Sequence, residues 1–200
     1  MQQASDFREE SLTLKSLIAD LDDAAFEKTT QFKSWTINDV FRHLHFWNKA
    51  VMVATEGDEA FATFFEGVGA HMMKGGSLPE YERAYLDGLS GGALREAWAS
   101  LVDETADAYA ALDPSSRVPW AGPSMSARSA ISARQMETWA HGQEVFDVLG
   151  ADREEHDRIR NIVVLGINTF GWTFKVRGET PPEPIPFVRL VSPSGEVWTY

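Results

Sequence analysis

The 200-residue chain contains no cysteine, which removes disulfides, thiolate metal ligands and cysteine nucleophiles together. Any thiol in its chemistry must therefore come from outside the polypeptide. Positive charge is also scarce: 18 Lys and Arg stand against 30 Asp and Glu, a formal net charge of -12. The basic residues are scattered singly, so no patch exists to neutralise phosphates, which disfavours nucleic acid and anionic membrane surfaces as partners. No segment has the roughly 18 apolar residues needed to span a bilayer, and Met1 to Glu10 lacks a basic stretch followed by an apolar run. A soluble, cytoplasmic protein is expected. What the chain does have is 44% hydrophobic residues and seven Trp, enough for the core of one medium domain or of a domain with an appendage.

Helical periodicity dominates. Leu12, Leu14, Leu17, Ile18 and Leu21 mark an amphipathic helix from about Ser5 to Leu21. Thr36 with Asp39 three residues on resembles a capping box, with Asp in place of the usual Glu, and Trp35 and Val40 can form a hydrophobic staple. The helix that follows, to about Thr55, has an inward stripe of Ile37, Val40, Phe41, Leu44, Trp47 and Val51, with His43 on its border. Asp58 to Met73 is again helical, and Ser77 opens a short helix reaching about Leu89. Ala93 to Leu112 places Leu94, Trp98, Leu101, Val102, Thr105 and Tyr109 inward, and Asp113 to Pro123, with three prolines and Trp120, is a loop. Ser124 or Ser126 can cap a further helix that Gly150 stops after Leu149. A broadly apolar helix from Asp152 to about Val176 should be well buried. From Gly178 a Pro-rich linker leads to a β-hairpin. Two strands are marginal alone, so the hairpin must pack on the bundle, pair with another chain as in a homodimer, or open a longer C-terminal domain. The expected division is therefore 1–177 and 178–200.

The residues that point to chemistry lie in Arg134-Gln-Met-Glu-Thr-Trp-Ala-His-Gly-Gln-Glu-Val145. Glu137 and His141 are four apart and share one helix face. Together they can close on a divalent ion if a third ligand arrives from another helix, and His43, about two turns into its own helix, is the candidate. Taken separately, such a Glu and His are as readily a solvated pair, and a lone histidine beside an apolar stripe is commonly a hydrogen-bonded core residue. His45 lies about 200° around its helix from His43 and cannot face the same ion. His71 sits in a last helical turn, where the helix dipole favours it, and His156 falls in a polar first turn.

The two segments Ser34-Trp-Thr-Ile-Asn-Asp-Val-Phe-Arg-His-Leu44 and Arg134 to Val145, about 90 residues apart, resemble the metal-ligand segments of the DinB-like superfamily. Within it they are most similar to the N-terminal domain of mycothiol-dependent maleylpyruvate isomerases. The likeness covers roughly the first 150 residues. It implies a mainly α, DinB/YfiT-like four-helix bundle, here with extra helices and the short C-terminal hairpin. It also implies one divalent ion, Zn2+ or Ni2+, held by His43, Glu137 and His141. Trp47, Trp120 and Arg134 are the further residues placed around that site. Trp120 either lines the pocket or caps the core, Arg134 either binds an anionic substrate or pairs with an acid, and Glu144 is at most an outer neighbour. The resemblance implies a low-molecular-weight thiol adding to a small unsaturated diacid, hence an isomerase or S-transferase. Metal-dependent hydrolysis and a non-catalytic metal sensor or scaffold are the other readings.

Overall fold

Thr36 sets the start of the helix around which the bundle is assembled. Its hydroxyl accepts from the Asp39 backbone N–H, while the Asp39 carboxylate accepts from the Thr36 N–H, a complete capping box. The computed structural model describes residues 1–200, with helices α1 (Gln2–Leu17), α2 (Ile37–Ala54), α3 (Asp58–Met73), α4 (Leu78–Tyr85), α5 (Gly91–Ala111), α6 (Ala127–Leu149) and α7 (Arg160–Val176). Four short strands pair as two antiparallel ribbons, β1 (Arg117–Val118) with β2 (Met125–Ser126) and β3 (Arg189–Val191) with β4 (Val197–Thr199). The chain divides into two compact units, Met1–Asp152 and Arg153–Tyr200. No helix is long and apolar enough to cross a membrane.

In the first unit α1 packs on α5 and α6, and α2 packs on the same two helices, which makes a four-helix bundle; α3 and α4 lie against α2. The stripe read on α2 is the buried one: Ile37, Val40, Phe41, Leu44 and Val51 are fully enclosed. Phe41 meets Trp98 of α5 edge to face, with ring centres 4.9 Å apart, and Phe26 closes on its other side at 6.0 Å. Enclosing a side chain of this size contributes roughly 1.5–3 kcal/mol, against about 1 kcal/mol for a helix cap. Packing therefore holds the bundle, and the cap sets its register. Asn38 ties the layers together: its Nδ2 donates to Glu27 and its Oδ1 accepts from Gly91 N–H at the start of α5. Gly91 has a positive φ of 58°, and a Cβ there would collide with the Asp23 carboxylate, so glycine suits that close approach.

Several expectations need correction. The inward face of α1 is Ala4, Phe7, Ser11, Leu14 and Ile18, spaced three and four apart, which leaves Leu12 44% exposed on the outer side. The helix stops at Leu17, short of Leu21, and α4 stops at Tyr85. The segment expected as a plain loop, Asp113 to Pro123, contains strand β1, because Arg117 and Val118 find partners in Ser126 and Met125 just before α6. The largest departure is α7. It begins at Arg160 after a 3-10 turn at Asp157–Ile159, and none of its residues is fully buried. Within its own unit the helix is accompanied only by the 3-10 turn and two short strands, too little surface to enclose it. Within that second unit Asp157 accepts hydrogen bonds from the Ser194 N–H and hydroxyl, and the Arg160 guanidinium lies over the buried Trp198 ring.

The cap carries more than helix register. Asp39 also receives hydrogen bonds from the buried Arg42 and from Arg83 of α4. Burial works against its charge, but the bonds from Arg83 and Thr36 outweigh that and hold its pKa below the ordinary value. Thr36→Ala should cost about 1 kcal/mol. Asp39→Ala should cost about 3 kcal/mol, because it leaves the buried Arg42 guanidinium without its paired carboxylate, with only the Leu89 carbonyl still accepting from it. Urea unfolding of the two variants against wild type measures both.

Candidate metal centre

Three side chains from two helices converge at one end of the bundle. His43 projects from the second turn of α2, and Glu137 and His141 lie one turn apart on α6. The Nε2 atoms of His43 and His141 stand 3.4 and 3.2 Å from the same Glu137 oxygen, and one donor atom from each of the three residues lies within 4.8 Å of the others. The trio sits under an aromatic rim. Trp35 stacks on His141 with ring centres 5.6 Å apart, the edge of Phe32 meets the same imidazole at 5.0 Å, and Trp35 and Trp47 flank His43. Glu137 keeps 29% of its side chain exposed, so the trio is open to solvent on the carboxylate side.

The rim is positioned by the loop before α2. Thr30 N–H donates to Trp35 C=O and Trp35 N–H to Phe32 C=O, which closes a four-residue turn with Lys33 and Ser34 at its centre. Both central residues have positive φ, 51° and 60°, the pattern of the hairpin turns that usually take Asn-Gly. Neither residue here is glycine, and a left-handed conformation costs roughly 1–2 kcal/mol at each. That energy is spent holding Phe32 and Trp35 on the imidazoles.

Charges in the trio are strongly coupled. Burial disfavours the imidazolium at His43, but hydrogen bonds that it donates to the carboxylates of Glu137 and Glu82 outweigh it and raise the His43 pKa. At Glu137 burial is again opposed, here by hydrogen bonds from His141 and His43, and the carboxyl is held well below the usual carboxylate range. Arg134 lies deeper. The residue is 1% exposed, its guanidinium donates to Asn48 Oδ1 and weakly to the Leu44 carbonyl, and burial lowers its pKa to about 10. This side chain is walled off from solvent and is not placed to meet a substrate; its positive charge acts on the site through the interior.

Sequence reading missed Glu82 of α4. Its carboxylate is completely buried, and one oxygen accepts from both His43 Nδ1, at 2.8 Å, and Trp47 Nε1, at 3.1 Å. The other oxygen has no hydrogen-bond partner, an arrangement that costs about 1–3 kcal/mol. The only hint in the sequence is an acid between Tyr81 and the apolar Ala84-Tyr85, and nothing in that spacing separates Glu82 from Glu80, which merely caps its helix. Trp120 contacts Trp47 and Phe61 and not the imidazoles. With Phe61, Phe65, Met73 and Pro119 it lines an apolar cleft of about 650 Å3 beside α3. The other histidines lie apart from the trio. His45 has a buried, unpartnered Nδ1, and burial lowers its pKa; His71 bonds to the Ser77 carbonyl; His156 precedes the 3-10 turn of the second unit.

The chain is 31% identical over 196 residues to uncharacterized proteins from two strains of Mycobacterium tuberculosis, an alignment covering 98% of this chain and 75% of each relative. Its fold matches the crystal structure of the mycothiol-dependent maleylpyruvate isomerase with a TM-score of 0.64 at 18% identity, covering 98% of this chain and 78% of that one. A histidine-to-alanine mutant of that isomerase matches with a TM-score of 0.62 at 17% identity. At such identities the structural likeness concerns the fold alone. Residues 7–146 match the mycothiol maleylpyruvate isomerase N-terminal domain, and the chain belongs to that family.

Proposed function

We propose that the chain binds one divalent metal ion through His43, Glu137 and His141 and uses it, with an external low-molecular-weight thiol, in an isomerisation or S-transfer on a small unsaturated acid. The observation that carries the reading is the spacing of the donors. Ligands about 2.0 Å from a tetrahedral zinc stand roughly 3.3 Å apart, and the two imidazole nitrogens lie 3.2 and 3.4 Å from the Glu137 oxygen. Two imidazoles and one carboxylate are a donor set that zinc accepts, with nickel as the second choice. Three protein ligands leave room for an exogenous one. A divalent ion so held acts as a Lewis acid and lowers the pKa of a thiol or water bound to it.

The residues of the chain supply the rest. Phe32 and Trp35 cover the imidazoles and exclude water from that side, so an incoming molecule must approach past the partly exposed Glu137. The buried Arg134 offsets part of the carboxylate charge without occupying the opening. Absence of cysteine agrees with a thiol supplied from outside, and family membership supports mycothiol or a relative in that place. In the proposed isomerisation the thiolate electron pair forms a C–S bond to the alkene, and the alkene pair moves onto the conjugated carbonyl. Rotation follows about what is now a single bond. Return of the pair re-forms the alkene and expels the thiolate, so the thiol is regenerated.

His43→Ala, Glu137→Ala and His141→Ala should each lower zinc affinity by more than about 100-fold, beyond the range of outer-shell changes, while His45→Ala, His71→Ala and His156→Ala keep wild-type content. Elemental analysis of protein purified without chelator or histidine tag reads this directly, and equal loss from both sets would sink the assignment. Cobalt-substituted protein should change its visible spectrum when a cellular thiol such as mycothiol is added; an unresponsive spectrum across a thiol panel would remove the thiol from the proposal.

A pH dependence also follows. Because the His43 pKa is raised in the folded protein, its stabilising imidazolium is fully present below the ordinary histidine value and is lost as pH rises through the raised one. The metal-free protein should therefore melt at lower temperature as pH climbs through that window. The ion takes the place of the proton, so the rise in melting temperature on adding zinc should grow over the same interval. A zinc effect that shrinks with rising pH would contradict this.

A further inference from the structure

We propose that Glu82 is the positioning residue for His43, fixing the imidazole in the tautomer and orientation that present its Nε2 to Glu137 and His141. The inference rests on the metal-binding reading above and concerns a residue outside the donor trio. A carboxylate oxygen can only accept hydrogen bonds, and an indole N–H can only donate. The Glu82 oxygen that accepts from the Trp47 Nε1–H at 3.1 Å therefore also accepts a hydrogen bond from a His43 Nδ1–H at 2.8 Å. With that proton on Nδ1, the lone pair of a neutral His43 is on Nε2, the nitrogen 3.4 Å from Glu137. Turning the ring over would put carbon atoms where both bonds are made.

The carboxylate has little freedom to move away. Its neighbour Arg83 is bonded to Asp39, one turn before His43 on α2, so two consecutive residues of α4 grip two successive turns of α2. Ser77 and Glu80 cap the start of α4, and the rings of Tyr81 and Tyr85 lie edge-on against Phe46. Packing alone does not call for an acid here, since the second Glu82 oxygen is enclosed with no partner. An outer carboxylate that orients a metal-binding imidazole accounts for the residue type as well as the geometry.

The test compares wild type with Glu82→Gln and Glu82→Leu. Glu82→Leu should lower zinc affinity by about 10- to 100-fold, broaden or shift the ligand-field bands of the cobalt protein, and give a mixed His43 tautomer in long-range 15N–1H spectra of the metal-free protein. Glu82→Gln keeps the size of the side chain and a neutral acceptor, so it should fall between Glu82→Leu and wild type, and it decides the matter should the leucine variant not fold. Unchanged zinc affinity and an unchanged Nδ1–H tautomer in the folded variants, with His43→Ala still losing zinc, would overturn the role of Glu82 and leave the metal site standing. A wild-type protein that takes up no divalent ion would overturn both.

Discussion

One imidazole with a carboxylate on each nitrogen is the constraint that the bundle accommodates. His43 is 8% exposed and lies between Glu82 and Glu137, a concentration of charge that a protein interior tolerates only when every member is paired. Much of the surrounding structure serves that condition. Asp39, Arg42 and Arg83 fix α4 against the first turns of α2 so that Glu82 arrives at the inner nitrogen. The long α6 delivers Glu137 and His141 to the outer one. Arg134, held by Asn48, places a permanent cation beneath the two acids. The polar layer is connected through α2, and α2 alone contacts α3, α4, α5 and α6 extensively.

Trp47 joins this polar layer to the apolar one. Its indole nitrogen serves Glu82, one side of its ring faces His43, and further contacts reach Phe65 and Trp120. A phenylalanine would fill much of the same volume but could not donate the second hydrogen bond to the buried oxygen. Trp47 thus stands between His43 and two rings that line the cleft, and no member of the donor trio lines that cleft itself. An aromatic residue with a polar edge suits such a boundary, where one face must be dry and one atom must be bonded.

What could be read from the sequence was whatever a local signal encodes. The capping box at Thr36, the stripe on α2, the inward set on α5 and the Gly150 stop after α6 each depend on residues within a few positions of one another, and each stands where its pattern places it. The pairing of Glu137 with His141 follows from helix geometry, and the approach of His43 follows from two helices packing along apolar faces. Glu82 and Arg134 were not legible in the same way. Their burial is set by α4 and α6 closing over α2, and an acid on a short helix or an arginine before a glutamate looks the same whether solvated or enclosed. For α7 the opposite error arises: apolar content suggests enclosure, but enclosure needs a neighbouring surface, and Arg153–Tyr200 supplies none large enough.

The turn at Lys33 and Ser34 bears on how firmly the site is closed on its aromatic side. Two successive side-chain-bearing residues in the left-handed region leave the Phe32–Trp35 segment higher in energy than a relaxed loop of the same length. Ring contacts with His43 and His141 keep it in place. Lifting Trp35 forfeits those contacts but recovers the backbone strain, so the net resistance is smaller than the aromatic packing alone would impose. The way in stays on the side of the partly exposed Glu137, and the turn sets how firmly the opposite wall is held.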